Sequence, residues 1–355
     1  MTEIVRISRV VADLDRAQDF YQHALTFRPV AREPVDDAVA AALGIGRAEQ
    51  APLWLGAQQI ALVRCEQPGR DYPADSRSND LWFQHLAIVV SDMDAAYAHL
   101  TAHAGWRAIS EGGPVTLPVA NDGVRAFKFR DPDGHPLELI WFPPGVGREV
   151  WRPHGVAGLF LGIDHTAVAV ASTSRAVPFY SGLGFAVSAR SQNDSPEQSR
   201  LDGFADAKAR ITALRPPASD GPGVELLGYD PPGRETPAPS SSVPWPSSSV
   251  PSPSSSGSTR GSARTRSVPD LRARVPHNEL PGPSPGMTVR CTTDVATPDS
   301  GTTYDWPAPD LSPRATDIAT DWVTLSGGFG ATPRAISDPD GHLLLLLDQG
   351  RGSPA

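Results

Sequence analysis

One carboxylate stands out for where it sits. In Phe127–Phe142, F-K-F-R-D-P-D-G-H-P-L-E-L-I-W-F, Phe127 and Phe129 alternate with Lys128 and Arg130, the period of a half-buried strand. Asp131-Pro132-Asp133-Gly134 is turn chemistry: Pro fixes φ, Asp bonds its own backbone and Gly takes φ > 0. Leu137, Leu139 and Trp141 then alternate with Glu138, Ile140 and Phe142 in a returning strand. Glu138 therefore lies in the middle of an otherwise apolar strand. Burying a lone carboxylate is costly, so such a group is expected to be paired or bound to a cation. A second copy of the hairpin, Ala335–Asp348 around Asp338-Pro-Asp-Gly-His342, carries Leu345 at the Glu138 position. One hairpin is equipped for chemistry and its twin is not.

The elements that must position these hairpins recur along the chain. Ile4–Val11 alternates as a strand, and Asp13 is placed to cap a helix running through Phe20-Tyr21 to Leu25. Two strands, APLWLG and QQIALVR, follow within residues 51–64. Residues 82–142 repeat the plan: a strand over Trp82–Val90, a helix capped by Ser91-Asp-Met-Asp94, strand segments near Arg107–Ser110 and Val124–Phe129, and the hairpin. A third copy begins with a strand over Gly162–Val170 and a helix through Phe179-Tyr180, and it closes through Val224–Arg234. A fourth is reduced to a first strand near Asp321–Leu325 and a final hairpin, its helix missing or displaced. The expected division is modules at 1–75 and 80–145 within a first domain, 1–148, then a connector at 149–160 and a third module at 161–235. A Pro/Ser/Arg-rich insertion at 236–316 and a truncated fourth module at 317–349 complete it. The insertion cannot bury enough apolar surface to offset the entropy of ordering, so it is expected to be disordered.

The totals exclude several classes. A net charge of −9 argues against nucleic acid or an anionic membrane as partner. No apolar run approaches the ~20 residues of a spanning helix, and MTEIVRISRVV lacks a signal-peptide layout. Only Cys65 and Cys291 occur, without a CxxC spacing, so neither a disulfide framework nor a Cys zinc site is indicated. These features imply a soluble cytoplasmic protein.

The repeated text V-A-D-L-D-R-A…F-Y, V-S-D-M-D-A-A and F-Y-S-G-L-G-F, with D-P-D-G-H-P-L-E-L, resembles the vicinal oxygen chelate superfamily. That family includes glyoxalase I, extradiol ring-cleaving dioxygenases, methylmalonyl-CoA epimerase and bleomycin-resistance proteins. The resemblance covers nearly everything outside 236–316. It implies an α+β fold of repeated βαβββ modules, two modules forming one curved mixed β-sheet around a metal or ligand cleft. A small-molecule substrate and a monomer or homodimer are expectations that go with this resemblance. It also implies that ligands come from the first and last strands of paired modules. By register those positions are Arg6, His85, His165 and Trp322 on the first strands, and Ala61, Glu138, Glu225 and Leu345 on the last. Only the second and third modules carry ligands. If these two pair, His85, Glu138, His165 and Glu225 meet in one cleft suited to Ni²⁺, Co²⁺, Zn²⁺, Mn²⁺ or Fe²⁺. The set resembles the metal sphere of bacterial-type glyoxalase I.

That resemblance implies a glyoxalase I-like lyase or isomerase, with Glu138 or Glu225 as the base that moves a proton α to a carbonyl. An extradiol dioxygenase with Fe(II), needing two His and one carboxylate, is the alternative, and a metal-free bleomycin-resistance-type binding protein is a second. The cleft of the first and fourth modules would be catalytically dead, with Arg6 able to bind an anionic ligand. His135 and His342, in the turns, read as structural, and His23, His99 and His103 as surface groups. Tyr21, Tyr180, Phe20 and Phe179 read as core, and Cys65 as a small apolar strand residue.

Overall fold

Alternation and capping account for most of the regular structure. The computed structural model describes residues 1–67, 69, 71–151, 158–217, 219–235 and 321–348. The insertion at 236–316 lies outside the described residues, as do part of the connector and both ends of the fourth module. The described residues fall in one compact unit.

The first module comprises β1 (Glu3–Val10), α1 (Leu14–Ala24), β2 (Arg28–Pro29), β3 (Glu33–Pro34), α2 (Asp37–Leu43), β4 (Ala48–Leu55) and β5 (Gln58–Cys65). Asp13 caps α1, its side chain accepting from the Asp15 and Arg16 amides. The second holds β6 (Gln84–Val90), α3 (Met93–Thr101), β7 (Arg107–Ala108), β8 (Val115–Thr116), β9 (Arg125–Arg130) and β10 (Pro136–Trp141), with Asp92 capping α3. The third holds β11 (Phe160–Ala169), α4 (Thr173–Gly182), β12 (Ala186–Asn193), α5 (Pro196–Asp202), β13 (Ala209–Arg215) and β14 (Gly223–Tyr229). The fourth keeps β15 (Trp322–Gly327), β16 (Arg334–Ser337) and β17 (Leu343–Asp348), with no helix among its described residues. Gly134 and Gly341 hold φ of 93° and 98° in the twin turns, the conformation those turns require of glycine.

The strands form two curved mixed sheets. One runs β16-β17-β15-β1-β5-β4-β2, and the other β12-β13-β14-β11-β6-β10-β9-β7. The first module is thus joined to the fourth through antiparallel β1–β15, and the second to the third through antiparallel β6–β11. Residues 1–148 consequently do not close a sheet of their own: the two modules in that span lie in different sheets.

One face of each sheet, with α1, α3 and α4, builds a shared core that includes Ile7, Leu14, Tyr21, Ile88, Met93, Phe127, Tyr180 and Leu344. The other face of the β1–β15 sheet carries a cavity, and that of the β6–β11 sheet carries the buried His85, Glu138 and His165. Because side chains alternate, Leu86 and Ile88 point into the core while His85 and Ala87 point away from it.

The twin hairpins lock the sheets together. His135 Nε2–H donates to the Val10 carbonyl at 2.7 Å, and His342 Nε2–H to the Ala169 carbonyl at 2.8 Å. Tyr21 OH donates to Asp131 Oδ2 at 2.9 Å, and Tyr180 OH to Asp338 Oδ2 at 3.1 Å. Each D-P-D-G-H turn thus bonds modules of the opposite sheet, and both turn histidines have the structural role read from the sequence.

Candidate metal centre

Strand register brings the candidate ligands together in two rows. Across β6, β10 and β11, Ala87 stands opposite both Glu138 and His165. Across β6, β11 and β14, Ala167 stands opposite both His85 and Glu225. Directly opposed residues share a face, so four polar side chains rise around two fully buried alanines. A larger residue at either alanine would push them apart.

The His85 and His165 rings lie 5.7 Å apart between centroids. His85 Nε2 is 3.0 Å from Glu138 Oε2, and His165 Nε2 is 3.8 Å from that oxygen. His165 Nε2 is also 3.4 Å from Glu225 Oε2. His85, Glu138 and His165 are all buried, whereas the Glu225 side chain is 22% exposed and stands at the open edge. The ligand atoms of His85, Glu138 and His165 lie within 4.8 Å of one another.

Both imidazole Nε2 atoms are buried without a hydrogen-bond partner, and the 3.0 Å approach of His85 to Glu138 lacks hydrogen-bond alignment. Buried nitrogens without hydrogens to share are expensive unless something accepts their lone pairs. Two imidazoles and a carboxylate converging this way fit a divalent cation.

A β-bulge positions His165. The β6–β11 register shifts between Ile163 and His165, which inserts Asp164 as an extra residue. The bulge lets adjacent residues meet: His165 Nδ1–H donates to Asp164 Oδ2 at 3.1 Å. This bond fixes the tautomer with the Nε2 lone pair toward the cluster, the usual arrangement behind a metal-binding histidine. Asp164 is itself held by Trp151 Nε1 and by Arg215 Nη2, each at 2.6 Å.

Opposite Glu138 on β9, the buried Lys128 donates to Asp202 Oδ1 at 2.6 Å. Gln198 Nε2 at 2.7 Å and Tyr229 OH at 3.1 Å satisfy the other Asp202 oxygen. Asp202 ends α5, which Ser110 and Ser78 hold through the Leu201 and Asp202 carbonyls. Gly203, at φ 70°, follows so closely on the Ile109 carbonyl that no Cβ would fit.

The electrostatics separate the two glutamates. Burial alone would raise the Glu138 pKa, but His85, Lys128 and His165 outweigh it and hold it down to about 2. Burial, augmented by Asp164 and Glu138, raises the Glu225 pKa despite His165. Burial lowers His85 to about 4 against the pull of Glu138, so it is neutral at pH 7. On His165 burial is outweighed by Glu225, Asp164 and Glu138, which raise its pKa.

Arg6 lies elsewhere, on β1 of the other sheet, where Nε donates to Gln59 Oε1 at 2.6 Å and Nη1 to Gln50 Oε1 at 3.1 Å. Sequence reasoning named the four ring residues but missed Asp164, Lys128, Asp202 and Arg215. Asp164 had a signal, a charge in the apolar strand Gly162-Ile-Asp-His-Thr166; Asp202 had none, because its partner is 74 residues away.

Residues 3–139 match the Glyoxalase/Bleomycin resistance protein/Dioxygenase superfamily. A 2-epi-5-epi-valiolone epimerase from Actinomyces sp is 39% identical over 88 residues, 22% of this chain and 46% of that protein. The chain thus spans about half the length of this curated relative. The crystal structure of a glyoxalase I single-residue variant from Zea mays superposes with a TM-score of 0.51 at 13% identity, covering 98% of this chain and 92% of that one. At that identity the likeness speaks for the fold. Among the described residues, no helix is long and apolar enough to cross a membrane.

Proposed function

We propose that this chain, whose residues 3–139 belong to the vicinal oxygen chelate superfamily, is a metal-dependent isomerase or epimerase. It would move a proton on a carbon next to a carbonyl in a small oxygenated substrate. The observation that carries this reading is a second carboxylate, Glu225, 3.4 Å from His165 at the open edge of the buried His85–Glu138–His165 cluster. His85 Nε2, His165 Nε2 and Glu138 would hold the cation, with Asp164 fixing His165. A divalent cation held there would polarise the substrate's carbonyl oxygen.

The chain's own groups then divide the work. Lys128 and His165 keep Glu138 ionised. Glu225, less enclosed, takes the proton from the carbon α to the carbonyl and returns it. Return to the neighbouring carbon gives glyoxalase I-like isomerisation; delivery of a proton to the same carbon from the opposite face, by a second acid across the substrate, gives an epimer, the product class in the relative's name. α5 and the Lys128–Asp202 pair wall the cleft beside the cluster and limit water.

The test is metal content together with proton exchange. Purified wild type should hold about one divalent ion per chain. Glu138→Gln should lose it. Glu225→Gln should keep it while turnover falls about 10²–10⁴-fold. Candidate substrates are the hemithioacetal of a 2-oxoaldehyde and 2-epi-5-epi-valiolone. In heavy water, turnover should place deuterium on the reacting carbon.

A second reading rests on the cluster itself. Two histidines and one carboxylate are also the set that Fe(II) ring-cleaving dioxygenases use. Oxygen uptake with a catechol, and no deuterium exchange, would favour it. Metal-free wild type that still binds a substrate tightly would favour a binding protein instead.

A further inference from the structure

The β1–β15 sheet repeats the construction of the metal cleft with different residues. Ser8 stands opposite both Trp322 and Ala61, and Thr324 opposite both Arg6 and Leu345. Trp322 and Ala61 therefore hold the places of His85 and Glu225, and Arg6 and Leu345 those of His165 and Glu138. Ser8 and Thr324 replace the two central alanines.

A cleft without ligands could have been filled with apolar side chains. Instead a cavity of about 370 Å³ remains, lined by Arg6, Ser8, Gln50, Thr324, Trp322 and Leu345. This is the small end of the range for ligand pockets. The floor is buried and apolar except where it meets Arg6 and the two hydroxyls. Desolvating a guanidinium beside such a cavity costs free energy. Burial indeed lowers the Arg6 pKa, with only Glu33 opposing it.

Arg6 is also held in place. Gln59 and Gln50 take two of its five N–H donors, and among the described residues these are its hydrogen bonds. Gln50 Nε2 donates onward to Glu33 Oε1 at 2.9 Å. Glu33 is exposed, so water screens it from anything bound at Arg6. The second acid lining the cavity, Asp36, is committed to capping α2 through the Ala38 and Val39 amides.

We propose that this cavity is a second binding site, for a small organic anion. Its carboxylate or phosphate head would meet Arg6, Ser8 and Thr324, and its apolar body would lie against Trp322 and Leu345. A planar guanidinium with two neighbouring hydroxyls suits an oxyanion, which accepts several hydrogen bonds at once. The site is independent of the metal cleft, and either could be present without the other.

Calorimetric titration of the full chain with benzoate, phenyl phosphate and uncharged benzyl alcohol tests it. Glu138→Gln serves as the background, so that no metal-bound anion contributes. Benzoate or phenyl phosphate should bind one per chain, and the alcohol at least tenfold more weakly. Arg6→Gln should weaken the anion about tenfold or more. Val39→Phe, which leaves Arg6 intact and fills the cavity from α2, should abolish binding while the chain still unfolds cooperatively. No anion binding to the folded background overturns the proposal. So does equal affinity for the alcohol, or binding unchanged in both Arg6→Gln and Val39→Phe. Carboxylate and phosphate sources are separated by which of the two probes binds more tightly.

Discussion

The two clefts share one construction and differ in what fills it. In each, the first strands of two modules run antiparallel at the centre of a sheet, and the last strands flank them in parallel. In each, a bulge precedes the ligand position on the third or first module, inserting Asp164 in one cleft and Val5 in the other. Beyond that they part. One cleft has two alanines beneath two histidines and two glutamates; the other has two hydroxyls beneath Arg6, Trp322, Leu345 and Ala61. The difference teaches that backbone register supplies the geometry of a four-residue ring. Which chemistry the ring offers depends on six side chains above it and in its floor.

The largest effect should come from cutting a ligand in one ring and its counterpart in the other. His85→Ala should reduce bound divalent metal, measured by mass spectrometry, from about one per chain to near zero. Leu345→Ala, at the counterpart of Glu138, removes a buried side chain and should cost about 2–5 kcal/mol of stability. Its metal content should not change. Metal lost equally from both variants would mean that the two rings are not separate sites.

Next in size is the bulge residue. Asp164→Asn removes the negative charge behind His165 and leaves one acceptor oxygen for the three donors of Trp151, His165 and Arg215. Metal affinity should fall about 10–100-fold by competition with a fluorescent chelator. Val5→Ala, at the matching bulge, should leave it unchanged. Equal affinity in Asp164→Asn and wild type would show that His165 needs no charged partner behind it.

Much of this was legible beforehand, for a physical reason. Strand alternation, helix caps and the twin D-P-D-G-H turns are local, so the modules could be read directly. The cross-pairing followed from where histidine and glutamate fall. Two helices were missed although each carries a signal. α2 lies between Asp36 and Gly44, which takes φ 68°, and α5 follows Ser195-Pro-Glu-Gln198, a capping pattern. The contacts behind the cluster were not legible, because Asp164 with Arg215 and Lys128 with Asp202 join residues dozens of positions apart. Sequence patterns report periodicity within an element and say little about which distant elements share a buried charge.

The two hairpin latches give a finer comparison. Beside His135, the buried Asp321 approaches Nδ1 to 3.0 Å, and Arg9 lies 3.7 Å from the same carboxylate. At the equivalent positions near His342 the chain has Gln84 and Val168. Burial opposes charge on His135, but Asp321 and Asp131 outweigh it and raise its pKa from 6.5 to about 9. A raised folded-state pKa means stability that is fully present below pH 6.5 and lost as pH rises through about 9. The loss should be about 3 kcal/mol across that window, read from urea unfolding at pH 6 and pH 9.5. His135→Gln should flatten this slope and His342→Gln should leave it. A slope that survives His135→Gln would place the titrating group elsewhere.

The smallest effect separates the latches through their tyrosines. Tyr21→Phe and Tyr180→Phe each remove one hydroxyl donor from a hairpin aspartate. A hydrogen bond to a charged group contributes about 1.5–3 kcal/mol, so each variant should lower the urea midpoint without changing the slope. The costs should differ. Asp131 lies close enough to Arg9 to raise the arginine's pKa, and Arg9 Nε and Nη1 are buried without hydrogen-bond partners. When Tyr21 loses its hydroxyl, that cation still compensates the Asp131 carboxylate. Asp338 has no arginine at the matching place, since Val168 stands there. Tyr180→Phe should therefore cost more than Tyr21→Phe, by about 1 kcal/mol. In an Arg9→Met background, which keeps volume but removes the charge, the two tyrosine costs should converge. If Tyr21→Phe proves the costlier change with Arg9 present, the arginine is not neutralising Asp131, and the two latches differ in charge without differing in how that charge is used.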